Sequence, residues 1–321
     1  MHNMKNSLLE LADIVEQSYL KNLEKLDSVS KRHFLYRSYL SNKTNFSKQK
    51  LVDVLHETKA SQLDFIEEFN QNFSVGLLKQ KEIIDLRQAA YPHENERLEV
   101  WKKYPELVYF YLVLRESFYL RFFNVSFDLD KKRVADLFKL VMDTPSFLKN
   151  SSTHALCIIF YLDYLNMLPV INSQKKLDYA NLVKDQFVIS ASSSDTEIYN
   201  YLYALNHIVI CDSYFYLKLP NEKLFFYAVK LKKHVTLFYE RLSLDLKLES
   251  LLSCLLLGDQ NINFQDKVID ELYLNFNHSM NIVDNKKILK ATHQSSEHTN
   301  ALLMLVARKN KLFSQMNSLM I

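Results

Sequence analysis

The amino-acid sequence predicts an all-α protein, and three observations support that fold class. Apolar residues recur mostly at three- and four-residue spacings, which is the period of an amphipathic helix. Proline occurs only five times and glycine only twice in 321 residues. Strand-like alternation and the Asn-Gly or Asp-Gly turns that join β-hairpins are missing. So few glycines also exclude a Walker loop, a dinucleotide-binding fingerprint and a nucleophile elbow, which need several.

Residues 1–90 are predicted to form an N-terminal helical bundle. Its amphipathic segments cover 4–27, 31–40, 47–72 and 77–90, and Ser47 is the expected N-cap of the third. Residues 91–104 include Pro92 and Trp101 and interrupt the helical pattern. We therefore expect a junction there, followed by a larger helical body at 105–321.

The body is predicted to consist of α/α hairpins repeated about every 53 residues. THALCIIFYLDYLNMLP at 153–169 resembles NHIVICDSYFYLKLP at 206–220, since each has a polar residue, a histidine, a cysteine one turn later and a terminal Leu-Pro. Amphipathic segments follow at 174–187 and 222–239. Two weaker copies and a last helix are expected at 107–123 with 130–142, 251–258 with 266–276, and 297–307.

The two helices of each predicted pair differ in polarity. The first is apolar almost all round, whereas the second has one polar face, so the first is expected inside and the second outside. Such an array either closes into a toroid or stays open. The two-layer pattern favours a closed α/α toroid, with an open α-solenoid as the alternative.

Charge and cysteine content limit the expected partners and location. The formal net charge of +3 is spread along the chain, which does not indicate a nucleic-acid-binding face. The densest basic stretch, 230–234, is expected to be the polar face of an amphipathic helix. Three cysteines in apolar runs favour a reducing compartment, and we expect a cytoplasmic protein. The apolar runs reach about eight residues, so neither an export signal nor a transmembrane segment is expected.

Polar groups recur at corresponding positions of the predicted inner helices and are candidates for a central cavity. They are Arg115, Glu116, His154, His207, Asp212, Glu249 and His298, with Glu297 beside the last. A histidine and a cysteine three or four residues apart share one helix face. Imidazole and thiolate groups are ligands of zinc and other transition metals. The candidate metal ligands are His154, Cys157, His207, Cys211, Cys254 and His298.

Each candidate also has a structural explanation. Free cysteines are commonly buried as small apolar residues, and buried histidines hydrogen-bond neighbouring helices. Arg115 and Glu116, with Arg121, lie in a segment with little room for a polar face, so a buried ion pair is expected and an anionic-ligand clamp is the alternative. No HExxH or CxxC motif is present.

Tyrosines crowd the same inner segments and would suit a cavity for an aromatic or peptidic ligand. They are Tyr109, Tyr111, Tyr119, Tyr161, Tyr164, Tyr199, Tyr201, Tyr203, Tyr214 and Tyr216.

Three segments carry a family resemblance: YALNHIVICDSYFY at 203–216, LESLLSCLLLG at 248–258 and SEHTNALLML at 296–305. In this order and spacing they resemble an uncharacterised bacterial all-helical domain family. The resemblance covers residues 105–310. It implies an α/α-repeat body with His207, Glu249 and His298 turned inward, and it implies no established reaction.

The sequence favours a helical repeat module that binds a peptide, a small molecule or a protein in a cavity lined by His, Cys, Glu and Tyr. One alternative is an enzyme in which His154, His207, Glu249 and His298 form an acid–base or metal centre that tailors a peptide or small metabolite. Another is a regulator or toxin-like interaction protein that acts through residues 1–90. Because no complete catalytic motif is present, the binding module ranks first.

Overall fold

A computed structural model describes residues 2–90, 95–167, 173–284 and 292–316. These residues are almost wholly α-helical, which confirms the all-α prediction. The strands within the described part are two residues long, Phe276–Asn277 and Ile282–Val283, and they pair antiparallel. The α-helices are α1 His2–Lys21, α2 Ser28–Asn42, α3 Asn45–Gln71, α4 Phe73–Ala90, α5 Asn95–Lys103, α6 Pro105–Phe122, α7 Lys131–Met142, α8 Pro145–Asn150, α9 Ser152–Tyr164, α10 Ser173–Lys184, α11 Asp195–Asp212, α12 Phe225–Phe238, α13 Leu244–Leu256, α14 Gln265–Leu274, α15 His293–Ala307 and α16 Lys309–Met316.

The chain divides into two compact units, each packed mainly against itself. Unit 1 combines Met1–Glu57 with Phe215–Ile321, and unit 2 is Thr58–Tyr214. The predicted bundle at 1–90 and body at 105–321 group the chain differently and stay predictions. Of the expected junction, residues 91–94 lie outside the described residues, and α5 occupies most of the rest.

Helix α15 is the central element of unit 1, where it contacts α1, α2 and α13. Its residues 301–306 are all buried and apolar, which is typical of a helix packed on every side. Asn300 is also buried, but its polar atoms are used. Its amide accepts the Val283 N–H at 2.8 Å and donates to the carbonyls of Val283 and Ser296 at 2.9 and 2.7 Å. These bonds fasten the short hairpin to α15.

A buried ion network joins the end of α15 to the first two helices. Arg308 donates from Nη2 to Glu16 at 2.8 Å and to Asp13 at 2.5 Å, and from Nη1 to Ser41 Oγ at 3.1 Å. The Ser38 hydroxyl donates to the other oxygen of Glu16. Every buried charge in this network therefore has a partner, as burial of charge requires.

Helix α9 has the corresponding position in unit 2. Residues 155–162 are all buried, and α9 contacts α6, α8, α10 and α11. The helices expected at 107–123, 130–142, 153–169 and 174–187 correspond to α6, α7, α9 and α10. Residues 168 and 169, the predicted Leu-Pro end of the first repeat helix, lie outside the described residues. The repeat itself and its closure stay predictions.

The basic stretch lies on the outer side of α12, which it shares with the exposed Val229 and Leu237. In α12, Leu231, Val235 and Phe238 are buried, while Lys233 is exposed. Across the described ranges, the helices are all too short or too polar to span a lipid bilayer.

Three predicted helix ends were wrong. Helix α3 is capped by Thr44, not Ser47, because the Thr44 hydroxyl accepts the Ser47 N–H at 3.1 Å. The inner helix of the second repeat, predicted at 206–220, begins earlier, at Asp195, because Ser194 and Glu197 form a capping box. The same helix ends at Asp212, well before residue 220. The chain then enters a left-handed turn at 214–216.

We predict that Arg308→Met lowers the free energy of unfolding by about 3–5 kcal/mol, because it leaves Glu16 buried without its cation. Urea denaturation of the full chain, followed by circular dichroism, measures the change. Arg121→Met is the matched control, since Arg121 is exposed. Equal stability of the two variants would contradict this role of Arg308.

Candidate functional site

Unit 1 brings together six charged and titratable side chains, which we call the carboxylate–histidine cluster. Three helices supply them in pairs, and α15 contacts both of the other two. In α2 and α13 the paired residues are four positions apart and so share one helix face. The cluster consists of His33 and Arg37 from α2, Asp245 and Glu249 from α13, and Glu297 and His298 from α15.

Hydrogen bonds at the helix starts fix these helices beside one another. Asp27 caps α2 by accepting the Ser30 N–H at 2.7 Å. Gln294 in the first turn of α15 donates to the same Asp27 carboxylate at 2.8 Å and accepts the Asp27 N–H at 2.9 Å. Ser243 caps α13, and Thr292 forms a capping box with Ser295. The cluster therefore lies close to anchored helix ends.

A strained turn packs beneath Arg37. Phe215 and Tyr216 have φ angles of 56° and 76°, which side-chain-bearing residues rarely adopt. The Tyr36 hydroxyl donates to the Phe215 carbonyl at 3.1 Å, and the Arg37 guanidinium lies over the Tyr216 ring, 5.8 Å from its centroid. Each such conformation costs about 1–3 kcal/mol, and strain of this kind concentrates at functional sites.

His33 and Glu297 form the closest pair in the cluster. His33 Nδ1 lies 2.8 and 3.0 Å from the two carboxylate oxygens of Glu297. Burial raises the pKa of Glu297 to about 7, although the nearby Arg37 acts to lower it. This carboxyl group therefore changes its charge close to neutral pH.

His298 is a neutral imidazole whose tautomer follows from its neighbour. Its Nδ1 lies 3.3 Å from Arg37 Nη1, and because a guanidinium only donates, Nδ1 must accept and Nε2 must carry the proton. Desolvation of the ring nitrogens lowers the pKa of His298 to about 4, opposed by Asp245 and assisted by Arg37 and His33. The Nε2–H faces Asp245 at 3.7 Å and Glu249 at 4.0 Å, which are too long for hydrogen bonds.

Glu249 is the most deeply buried member, with 1% of its surface exposed. Burial, strengthened by the charge of Asp245, raises its pKa to about 8, so the carboxyl group is mostly protonated at neutral pH. Its Oε2 atom has no hydrogen-bond partner among the described residues, and neither does Nε2 of His298. Burying a polar atom without a partner costs about 1–3 kcal/mol. Two such atoms within one cluster mark a site that a ligand can satisfy.

The structure brings together Glu249 and His298, two of the residues singled out in the sequence. Cys254, which lies on the same helix as Glu249, is fully buried, and its thiol lies 3.9 Å from the Ala228 carbonyl. Burial raises the pKa of Cys254 to about 12, which keeps it a thiol. Cys254 therefore has the structural role of a small buried residue.

The other candidates lie in unit 2. Cys157 and Cys211 are 3.9 Å apart at their sulfur atoms. Asp212 forms a 3.0 Å ion pair with Lys176. His207 donates from Nδ1 to the Tyr203 carbonyl at 3.0 Å.

The expected buried ion pair is present between Arg115 and Glu116, at 2.9 Å, and Gln62 donates to Glu116 at 2.7 Å. Arg121 is exposed and takes no part in this pair, whereas most of the segment around it is buried, as expected. The exposed position comes at the last turn of α6, where the helix leaves the packed interior.

Metal binding by the predicted residues stays a prediction. Over the part of the chain that the structure describes, no group of three or more His, Cys, Asp or Glu side chains has a geometry that could hold a metal ion. Of the six predicted ligands, Cys254 and His298 belong to unit 1 and the rest to unit 2.

Sequence reasoning missed His33, Arg37 and Asp245. His33 is separated from Glu297 by 264 residues, so no local pattern connects them. A weaker signal was present, because His33 and Arg37 share one face of a helix that is otherwise rich in aromatic and aliphatic residues. Asp245 likewise lies one turn before Glu249.

In comparisons with known proteins, no family model, curated protein or solved structure matches this chain. The functional argument therefore depends on the geometry of the site.

We predict that Glu249→Gln removes a pH dependence from the stability of the protein. The folded state binds this proton up to about pH 8, whereas an unfolded glutamate loses it near pH 4.5. The stabilisation is complete below pH 4.5 and is lost as the pH rises towards 8, by up to about 1.4 kcal/mol per pH unit. Urea denaturation at several pH values measures it.

Relative to the wild type, the Glu249→Gln variant should therefore become steadily more stable as the pH rises from 4.5 to 8. Glu240→Gln, a change at an exposed position of the same unit, is the control. A difference between variant and wild type that stays constant with pH would show that Glu249 is ionised in the folded protein.

Proposed function

We propose that this chain is a helical ligand-binding protein whose carboxylate–histidine cluster binds a small molecule or peptide through a cationic group, either an ammonium or a guanidinium. The observation that carries the proposal is the buried Glu249 Oε2, which has no partner among the described residues. An ammonium or guanidinium N–H would satisfy that atom with a charge-assisted hydrogen bond.

The charges of the cluster favour a cation. Three carboxyl groups, those of Asp245, Glu249 and Glu297, face a single permanent cation, Arg37. The imbalance is relieved in the free protein because burial raises the pKa of Glu249 and of Glu297, so that protons replace missing positive charge. A bound cation would supply the charge instead and would lower the pKa of Glu249.

His298 supplies the approach to the cluster. Its side chain is 38% exposed, whereas the Glu249 side chain is 2% exposed. A ligand that enters over the imidazole ring reaches Glu249 last, so its cationic end would lie deepest. The neutral Nε2–H of His298 would then donate to an acceptor on the same ligand.

We predict that butylamine and agmatine bind to the full chain and release a proton, whereas uncharged butanol does not bind. Because ionised Glu249 is the binding form, affinity should rise by up to about ten-fold per pH unit until pH 8 and then level off. Isothermal titration calorimetry in buffers of different ionisation enthalpy measures both the affinity and the proton release.

Glu249→Gln should weaken binding by about ten-fold or more, because it removes the charged acceptor. Glu240→Gln should bind as the wild type does. Binding without proton release, or equal binding by Glu249→Gln, would refute the cation site.

A second candidate, an acid–base enzyme, is favoured by one specific observation. The cluster combines two carboxyl groups with pKa values of about 8 and about 7 and a neutral imidazole that presents an N–H. Groups that exchange protons near neutral pH are suited to general acid–base catalysis. The ligand would then be a substrate that carries its reacting group near His298.

We predict for this candidate that His298→Asn keeps the proton-linked binding of a cationic ligand but abolishes its conversion. Mass spectrometry of N-acyl amides of agmatine, incubated with each variant, detects hydrolysis of the amide to agmatine and the free acid. An unchanged rate in His298→Asn would refute the catalytic role and leave the binding function intact.

The arrangement of the helices as repeats also forms part of the proposal. We infer α/α hairpin repeats, closed as a toroid, from the alternation of buried and half-exposed helices. Contacts of α9 with α6 and α11 in unit 2, and of α13 with α15 in unit 1, support adjacent inner helices. The three cysteines are free thiols, which supports a reducing, cytoplasmic location. The family resemblance over residues 105–310 is retained as a proposal on its three sequence segments.

A further inference from the structure

Unit 2 contains a second set of polar and aromatic side chains, which we call the aromatic–basic cluster. It comprises Trp101 of α5, Tyr111 and Arg115 of α6, and His154 and Tyr161 of α9. The His154 ring makes edge contacts with Tyr111 and Trp101, at centroid distances of 4.3 and 5.1 Å. Tyr111 and Tyr161 are 6.3 Å apart. Aromatic rings therefore lie against His154, and Arg115 follows Tyr111 by one helical turn.

A short relay fixes the tautomer of His154. Trp101 Nε1, which can only donate, gives its hydrogen bond to Ser151 Oγ at 2.9 Å. The Ser151 hydroxyl lies 3.1 Å from His154 Nδ1. Among the described residues, Nδ1 is the acceptor for the proton of this hydroxyl. Nδ1 therefore accepts and Nε2 carries the hydrogen. No residue of the described ranges accepts the Nε2–H.

Arg115 has a similar spare donor. Its Nε and Nη2 atoms both donate to one oxygen of Glu116, at 3.1 and 2.9 Å. The hydrogen bonds of Arg115 to the described residues use Nε and Nη2 and leave Nη1 unused, and the side chain is 22% exposed, so a ligand can reach it. The hydroxyl of Tyr111, one helical turn before Arg115, also lacks an acceptor among the described residues. Burial raises the pKa of Tyr111, which keeps this hydroxyl protonated.

The surroundings of the cluster are positively charged. The pKa of His154 is lowered first by burial and then by the charges of Arg97, His207, Arg87 and Arg115. The Arg87 guanidinium lies over the Trp101 ring at 5.2 Å. The carboxylate in direct contact with the cluster is Glu116, which Arg115 and Gln62 hold by hydrogen bonds. Such an environment attracts an anion.

We propose that the aromatic–basic cluster binds a planar carboxylate carried on an aromatic group. Arg115 Nη1, His154 Nε2–H and the Tyr111 hydroxyl would donate to the carboxylate, and the rings of Tyr111, Tyr161 and Trp101 would pack against the aromatic group. Flat aromatic walls and the planar donor fork of Arg115 fit a planar carboxylate better than a tetrahedral phosphate. This site does not depend on the carboxylate–histidine cluster of unit 1.

Trp101 is the only tryptophan of the chain and reports directly on this cluster. We expect benzoate to change its fluorescence in a saturable manner, because the ligand would contact His154 and the indole ring. Benzamide, the uncharged analogue, and inorganic phosphate should produce no saturable change. The full chain is used throughout, and circular dichroism verifies the fold of each variant.

Arg115→Gln and Tyr111→Phe should each weaken benzoate binding by about ten-fold, since each removes a hydrogen bond to a charged acceptor. Tyr179→Phe, the same change on helix α10, should bind benzoate as the wild type does. If Arg115→Gln does not fold, Arg115→Lys tests the arginine, because it keeps the charge beside Glu116 and removes the planar donor pair.

The proposal would be overturned by any of three results. These are the absence of a saturable benzoate signal, equal responses to benzoate and benzamide, and undiminished affinity in both the Tyr111→Phe and the arginine variants. Saturable phosphate binding without benzoate binding would likewise overturn the carboxylate assignment.

Discussion

The burial of α15 is the constraint on which unit 1 depends. This helix is apolar on every side along 301–306 and contacts α1, α2 and α13. Its polar residues therefore lie in its first half, 293–300, and just beyond its C-terminal end. At one end Glu297 and His298 meet α2 and α13, and just beyond the other Arg308 neutralises Glu16. The packing that holds the helix in place also fixes which charged groups meet.

The buried polar groups at the two ends of α15 differ in whether they have partners. Around Arg308 the carboxylates and hydroxyls have partners, as expected of a structural network. Around Glu249 the carboxyl group is kept neutral by burial, and one oxygen has no partner within the described residues. The unpartnered oxygen of Glu249 costs unit 1 about 1–3 kcal/mol of stability. A ligand that donates a hydrogen bond to this oxygen would remove that cost. The strained turn under Arg37 lies at the same place.

Helical periodicity was sufficient to predict the fold class and most of the helices. The apolar runs at 155–162 and in α6 are buried, because a helix that is apolar on all sides leaves no polar face to turn toward water. The start of α11 was missed although the Ser194 and Glu197 spacing of a capping box was present in the sequence. Glu249 and His298 were identified because they are polar residues in apolar helices. Their partners on α2 were not, because a contact across 261 residues leaves no local pattern.

The arrangement of the cluster depends on the protonation state of Glu249, since a neutral carboxyl group beside a neutral His298 is what leaves room for an added positive charge. Carbon-13 NMR of the Glu249 side-chain carboxyl group, assigned by comparison with Glu249→Gln, measures this state directly across a pH titration. A midpoint near pH 8 is the result expected from its burial. A midpoint near the ordinary glutamate value of 4.5 would contradict the account.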